Sequence, residues 1–295
     1  MLEWDFGADM IPIRDYRPSG ITPYVTVGLI LINLLVYAYQ LTYSGSQVVL
    51  IDRCAWQEAL GVKTIPPGFD RRAYLLFSGG KGCLYPVVER DYFVIRFGLI
   101  PAEFWHGEDL PPTVPFPIWL TLFTSMFLHG GLLHILGNML YLWIFGDNVE
   151  GAMGHGKFLL FYLLSGTGAA LLQLSVSAGS TAPMIGASGA IAGVMGAYLV
   201  LFPWSRILTI VPIFFFIQFI EVPAVIILGL WFVLQFFSGL MDLSALGGVA
   251  WFAHLGGFLT GALLVFPLKR REVVPGLVQW WRPVSYTHLT LPTKA

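Results

Sequence analysis

Two side chains able to exchange a proton stand inside stretches that otherwise read as membrane-spanning helices. Ser188 lies in Gly186-Ala187-Ser188-Gly189, and His254 lies in Ala253-His254-Leu255-Gly256-Gly257. A hydroxyl or an imidazole in an apolar helix is costly unless it has a partner or a task. The task such a pair can share is nucleophilic catalysis. The imidazole takes the serine proton, the oxygen attacks a carbonyl, and the proton is returned to the leaving amine. His134 and Asn138 are four residues apart, so they share one helix face and offer N–H donors to an oxyanion. The backbone N–H of Ser188, in the unpaired first turn of its helix, is a third donor. His129, at the entrance to the helix of His134, is expected to be structural, as are Gly186, Gly189 and Gly257.

Each feature has a plainer alternative. A lone Gly-x-Ser-Gly is also a serine cap on a tightly packed helix, and a lone intramembrane histidine is also a structural hydrogen-bonding group. His134 and Asn138 could ligate a metal, but no carboxylate or cysteine shares their face, so no metal and no cofactor is expected. What links the two reactive groups is a pair of small-residue stripes. Gly189, Ala192, Gly193 and Gly196 follow the serine, while Ala250, Ala253, Gly257 and Gly261 surround the histidine. Helices with such faces approach closely, which would bring Ser188 and His254 together. No Asp or Glu is placed to orient His254, since Asp242 and Glu221 read as loop ends. The pattern therefore predicts a Ser-His dyad.

The elements that must position these groups are membrane helices. The 295-residue chain is 56% hydrophobic and only 11% charged, with mean hydropathy +0.73, whereas soluble domains carry about 25% charged residues. Its net charge of −1 points to no nucleic-acid partner. A span needs about 20 apolar residues. Six segments meet or approach this: Pro23–Leu41, Gly131–Val149, Phe158–Val176, Ser188–Leu201, Ala224–Leu240 and Val249–Leu268. The fourth is short and is expected to begin below the membrane surface, burying Ser188 with its first turn. Gly146 to Gly151 reads as a capping cluster that closes the second span. Pro212 and Pro223 interrupt the apolar run before the fifth span. Ile207–Ile220 is then expected to be a membrane-edge loop, with one long kinked helix as the alternative. Six spans put both termini on one side. Arg14, Arg17, Lys157, Arg206 and Lys269-Arg270-Arg271 share that side, which the positive-inside rule makes cytoplasmic.

The domain organisation follows. Residues 1–22 form a cytoplasmic N-terminal segment without the pattern of a cleavable signal, and residues 23–268 form the membrane domain. Residues 43–130 form a large outward loop, and residues 269–283 a cytoplasmic tail. Residues 284–295 resemble a translated sequencing-library adapter and are expected to be a non-native artefact, with the natural C-terminus missing. Both cysteines, Cys54 and Cys83, lie in the outward loop, where oxidation is permitted. They read either as a disulfide or as two buried thiols.

These pieces together resemble the rhomboid family of intramembrane serine proteases. The resemblance covers Pro117 to about Leu268. It rests on His129-Gly130-Gly131 with His134-Ile135-Leu136-Gly137-Asn138, then Gly186-Ala187-Ser188-Gly189, then Ala253-His254-Leu255-Gly256-Gly257, in that order on the second, fourth and sixth spans. It implies an all-α membrane protein, a six-transmembrane-helix bundle of the bacterial type in a cytoplasmic membrane. Ser188 would be the nucleophile and His254 the general base. His134, Asn138 and the Ser188 N–H would be the oxyanion hole, in a site opening outward. The implied partners are the lipid bilayer and single-span membrane protein substrates. Phe97-Gly98-Leu99-Ile100-Pro101 is similar to a loop piece of bacterial members. The chain departs from some members in two ways. Ala192 stands where an aromatic ring would pack on the histidine, so another group must hold the imidazole, and the first loop lacks a Trp-Arg pair. The rivals to a protease are a non-cutting relative that binds membrane clients and a transporter or channel.

Overall fold

The computed structural model describes residues 11–43, 45, 47–52, 84–213, 216–242, 250–273 and 276. Along the chain run β1 (Ile11–Asp15), α1 (Tyr24–Gln40), β2 (Val48–Asp52), β3 (Leu84–Val88), α2 (Glu89–Phe97) and α3 (Pro101–His106). After a helical lead-in, Ile118–Phe127, come α4 (Leu132–Met153), α5 (His155–Val176), α6 (Ser188–Leu201), β4 (Arg206–Ile213), β5 (Phe216–Pro223), α7 (Ala224–Asp242) and α8 (Trp251–Leu268). Among the described residues, α5, α7 and α8 are long and apolar enough to cross a membrane. The lead-in and α4, bent by 83°, together make a fourth candidate. The chain is a mostly helical, multi-pass integral membrane protein. Length alone does not bring α1 (17 residues) or α6 (14 residues) up to a full span.

The short α6 is central. Its residues from Gly189 to Leu201 are buried, apart from a half-buried Leu199. A helix that is apolar all round belongs inside a bundle, and α4, α5 and α8 surround it. Glycine makes the α6–α8 approach possible. A Cβ on Gly257 would overlap the Gly189 carbonyl, one on Gly261 the Gly193 carbonyl, and one on Gly196 the Phe258 carbonyl. The two stripes expected from the sequence are therefore the contact surface between these helices.

Two expectations need correction. Over its described residues, Ile207–Ile220 is neither a loop nor part of a kinked helix. These residues lie in two antiparallel strands, β4 on β5, from Arg206 opposite Pro223 to Ile213 opposite Phe216. The chain is thus not purely helical, and residues 1–22 contribute a strand: β1 pairs with β4, Ile11 opposite Ile210 and Asp15 opposite Ile207. Second, Gly146 to Gly151 does not close the second span, because α4 runs on to Met153. Asn148 and Glu150 find partners outside the helix. Asn148 donates to Asp15 and to the Arg17 carbonyl, and Tyr198 also donates to Asp15. The stretch expected as a large outward loop carries secondary structure over its described part. β2 and β3 pair, with Val48 opposite Val88 and Asp52 opposite Leu84. Cys54 and Cys83 lie outside the described residues, as do residues 277–295 with the adapter-like end.

Glu150 carries a large share of the α1–α4 contact. It is fully buried, and its carboxylate accepts from Val25 N, Thr26 N and Thr26 Oγ1 and pairs with His155 Nδ1. Helix α1 has no side-chain cap of its own, as Pro23 precedes it. Glu150 therefore supplies from another helix the acceptor and negative charge that a helix N-terminus favours. Replacing Glu150 by Leu would orphan these donors at about 1–3 kcal/mol each. The variant is expected to melt well below the parent in detergent, with Glu150→Gln between the two. Equal melting of Glu150→Leu and the parent would show that this cap contributes nothing.

Candidate active site

Ser188 opens α6 and is half exposed, while the residues after it are buried. The turn before it is drawn tight by Gly186, at φ +120°, whose N–H donates to the Ser125 carbonyl at 2.8 Å. The loop leading into it is held from the first outward region. Leu99 and Met184 exchange backbone hydrogen bonds, and the Ala102 N–H donates to the Ser180 carbonyl. A Cβ on Gly98 would meet the Val94 carbonyl at 2.7 Å and Pro183 at 2.9 Å. Phe97-Gly98-Leu99-Ile100-Pro101 thus fastens the serine loop.

His254 lies in the first turn of α8 and is 6% exposed. Its Nε2 is 2.8 Å from Ser188 Oγ, the contact expected from the matched stripes. On the other side of the ring, Nδ1 is 2.6 Å from Oε1 of Gln235, which comes from α7. Trp231, one turn earlier on α7, lies 5.9 Å from the imidazole between ring centroids, and Trp251 lies edge-on at 6.3 Å. These three side chains hold the imidazole. Sequence reasoning missed Gln235 because it looked for an acid. The available signal was the amide itself, since no other hydroxyl, carboxamide or charge occurs from Ala224 to Phe237.

The third element is the start of α4. Two hydrogen bonds between the Gln40 amide and the His129 backbone tie it to α1, one in each direction at 3.0 and 3.2 Å. The Gly130 N–H donates to His134 Nδ1 at 3.3 Å. With Nδ1 accepting, the ring hydrogen sits on Nε2. A Cβ on Gly186 would lie 2.8 Å from that nitrogen and 3.7 Å from Ser188 Oγ. The space that Gly186 leaves empty is therefore faced by the His134 donor and by the serine oxygen. Asn138, one turn along the same face, is 2% exposed, and its Nδ2 has no hydrogen-bond partner. A buried amide donor left unpaired costs about 1–3 kcal/mol, which suits a group whose partner arrives with a ligand. His129 is 1% exposed and packs edge-on against His134, with ring centroids 5.1 Å apart. Gly189 and Gly257 meet at the α6–α8 contact. Among the described residues, no three His, Cys, Asp or Glu side chains converge as a metal site.

The arrangement brings a hydroxyl and an imidazole into contact, with the His134 ring facing the same glycine turn. The Rhomboid domain model matches residues 117–271. RHOMBOID-like protein 4 of Arabidopsis thaliana is 33% identical over 171 residues, 56% of this chain and 38% of that protein. Rhomboid protein 1, mitochondrial, of Saccharomyces cerevisiae is 30% identical over 188 residues, 61% and 44% of the two chains. Rhomboid protease GluP of Bacillus subtilis is 42% identical over 81 residues, 28% and 15%. The chain spans less than half the length of each of these relatives. They come from plant, yeast and bacterium, so they do not single out a bacterial membrane. The domain match takes in more than half of the chain and every side chain of the site except Gln40, and the chain belongs to the rhomboid family.

Proposed function

We propose that this protein is an intramembrane serine endopeptidase that cleaves transmembrane segments through a Ser188–His254 dyad. The observation that carries the reading is the 2.8 Å contact between Ser188 Oγ and His254 Nε2. In the first half-reaction Ser188 Oγ attacks the scissile carbonyl carbon and its proton passes to His254 Nε2. The carbonyl oxygen becomes an oxyanion facing His134 Nε2, Asn138 Nδ2 and the Ser188 N–H. The tetrahedral intermediate collapses, the amine leaves with the proton from His254, and Ser188 carries the acyl group. Water, deprotonated by His254, then releases the acid and restores the serine.

The substrates in this reading are single-span membrane proteins with a helix that unwinds easily, because a peptide bond in an intact helix has its carbonyl bonded and shielded. The topology that goes with it has six spans, α1, α4 with its lead-in, α5, α6, α7 and α8, with both termini cytoplasmic. The site then opens outward, where the half exposure of Ser188 admits water. GluP is named as a rhomboid protease, and this reading extends that activity to the present chain.

A fluorophosphonate probe tests the proposal: the purified protein should be labelled at Ser188 and should cut a model transmembrane substrate in liposomes. Absence of both would refute the protease reading and leave a client-binding relative. Asn138→Ala and His134→Ala are each expected to lower kcat by about 10²-fold, as loss of one oxyanion donor does. Unchanged kcat in both variants would remove these two residues from the oxyanion hole.

A further inference from the structure

An amide buried in an otherwise apolar lipid-facing helix needs a partner. Gln235 is 7% exposed, and its Oε1 sits 2.6 Å from His254 Nδ1. A carboxamide oxygen accepts and never donates. The facing Nδ1 must therefore carry the ring hydrogen. The lone pair is then on Nε2, 2.8 Å from Ser188 Oγ, and the serine hydroxyl is the donor in that contact. The opposite tautomer would put a hydrogen on Nε2 and leave no base beside the serine.

We propose that Gln235 is a positioning residue that selects the Nδ1–H tautomer of His254 and so keeps Nε2 basic toward Ser188. This rests on the reading of Ser188 and His254 as nucleophile and base. In Ser-His-Asp enzymes a carboxylate fills this position, fixing the tautomer and also stabilising the imidazolium that forms. Gln235 does the first without the second, since a neutral amide takes no proton and brings no counter-charge. Trp231, four residues earlier on the same face of α7, packs on the imidazole as well. One helix thus supplies both the hydrogen bond and the wall that set the ring.

The test uses the full-length protein in nanodiscs with 15N-labelled histidine, the His254 signals being assigned with His254→Ala. The parent should give an Nδ1–H, Nε2-unprotonated pattern. Gln235→Leu should give mixed tautomers and a kcat about 10²-fold lower with KM unchanged, the low end of what a positioned general base contributes. Gln235→Glu, which keeps an acceptor oxygen at this position, should retain the single tautomer and the activity. If Gln235→Leu does not fold, Gln235→Asn, whose amide is withdrawn by one methylene, should give the same mixed signals and reduced kcat. A parent with hydrogen on Nε2, or a folded Gln235→Leu with parental tautomer and kcat, overturns the proposal. Should the parent neither take the fluorophosphonate probe nor cut substrate, the protease reading fails on its own. The tautomer pattern still decides whether Gln235 sets the ring.

Discussion

Replacing Ser188 by Ala is expected to lower kcat on a transmembrane substrate by about 10⁶-fold, and His254→Ala is expected to do the same. A nucleophile and its base act as one unit, so losing either costs about as much as losing both. The double variant should therefore be no worse than either single one. Folding should be spared in Ser188→Ala, because the hydroxyl contacts His254 at the half-exposed edge of the bundle and not in its core. The parent and Ser188→Ala should then melt together while only the parent yields product and binds the fluorophosphonate probe. A serine that merely caps α6 predicts the reverse: lower stability and retained cleavage. Persistent cleavage by purified Ser188→Ala would sink the dyad outright. Independent, multiplying losses in the double variant would show that the two residues do not serve the same step.

The candidate site was legible from the sequence because its members are polar in places where polarity is costly. Ser188, His254, His134 and Asn138 stand out against apolar spans, and the glycine stripes announced which helices would touch. Gln235 was less visible, since an uncharged amide belongs to no motif and its value depends on α7 packing beside His254. The β4–β5 strand pair was misread for a different reason. A short continuous apolar run suits a buried strand and a buried helix equally. Its prolines point to a break, whereas its Ile, Val and Phe richness favours a strand. At Gly146 to Gly151 composition suggested an end. The helix continues because Glu150 and Asn148 are satisfied by α1 and the N-terminal segment, partners more than a hundred residues away in the chain.

The second large effect is expected at Gly257, which touches no reacting atom. An Ala Cβ there would overlap the carbonyl oxygen of Gly189, the residue after Ser188. The Cβ is fixed by its own backbone and the oxygen belongs to backbone, so no side-chain rotation relieves the clash, and α8 must back away from α6. Overpacking of this kind costs typically about 1–3 kcal/mol, and sometimes more. The larger consequence is geometric, because the same helix carries His254 three residues earlier. A displacement of about 1 Å is enough to cost 10²-fold in rate, and here it opens the Ser188–His254 contact. Gly257→Ala should thus lose cleavage and fluorophosphonate labelling together, with a lowered melting temperature. Gly28→Ala, in α1, meets nothing within 4 Å. It should leave activity intact and stabilise slightly, by up to about 1 kcal/mol from helix propensity. Equal behaviour of the two variants would mean that the α6–α8 approach does not set the site. A selective loss at Gly257 would tie the dyad to the spacing of two helix backbones, a spacing that only glycine at this position allows.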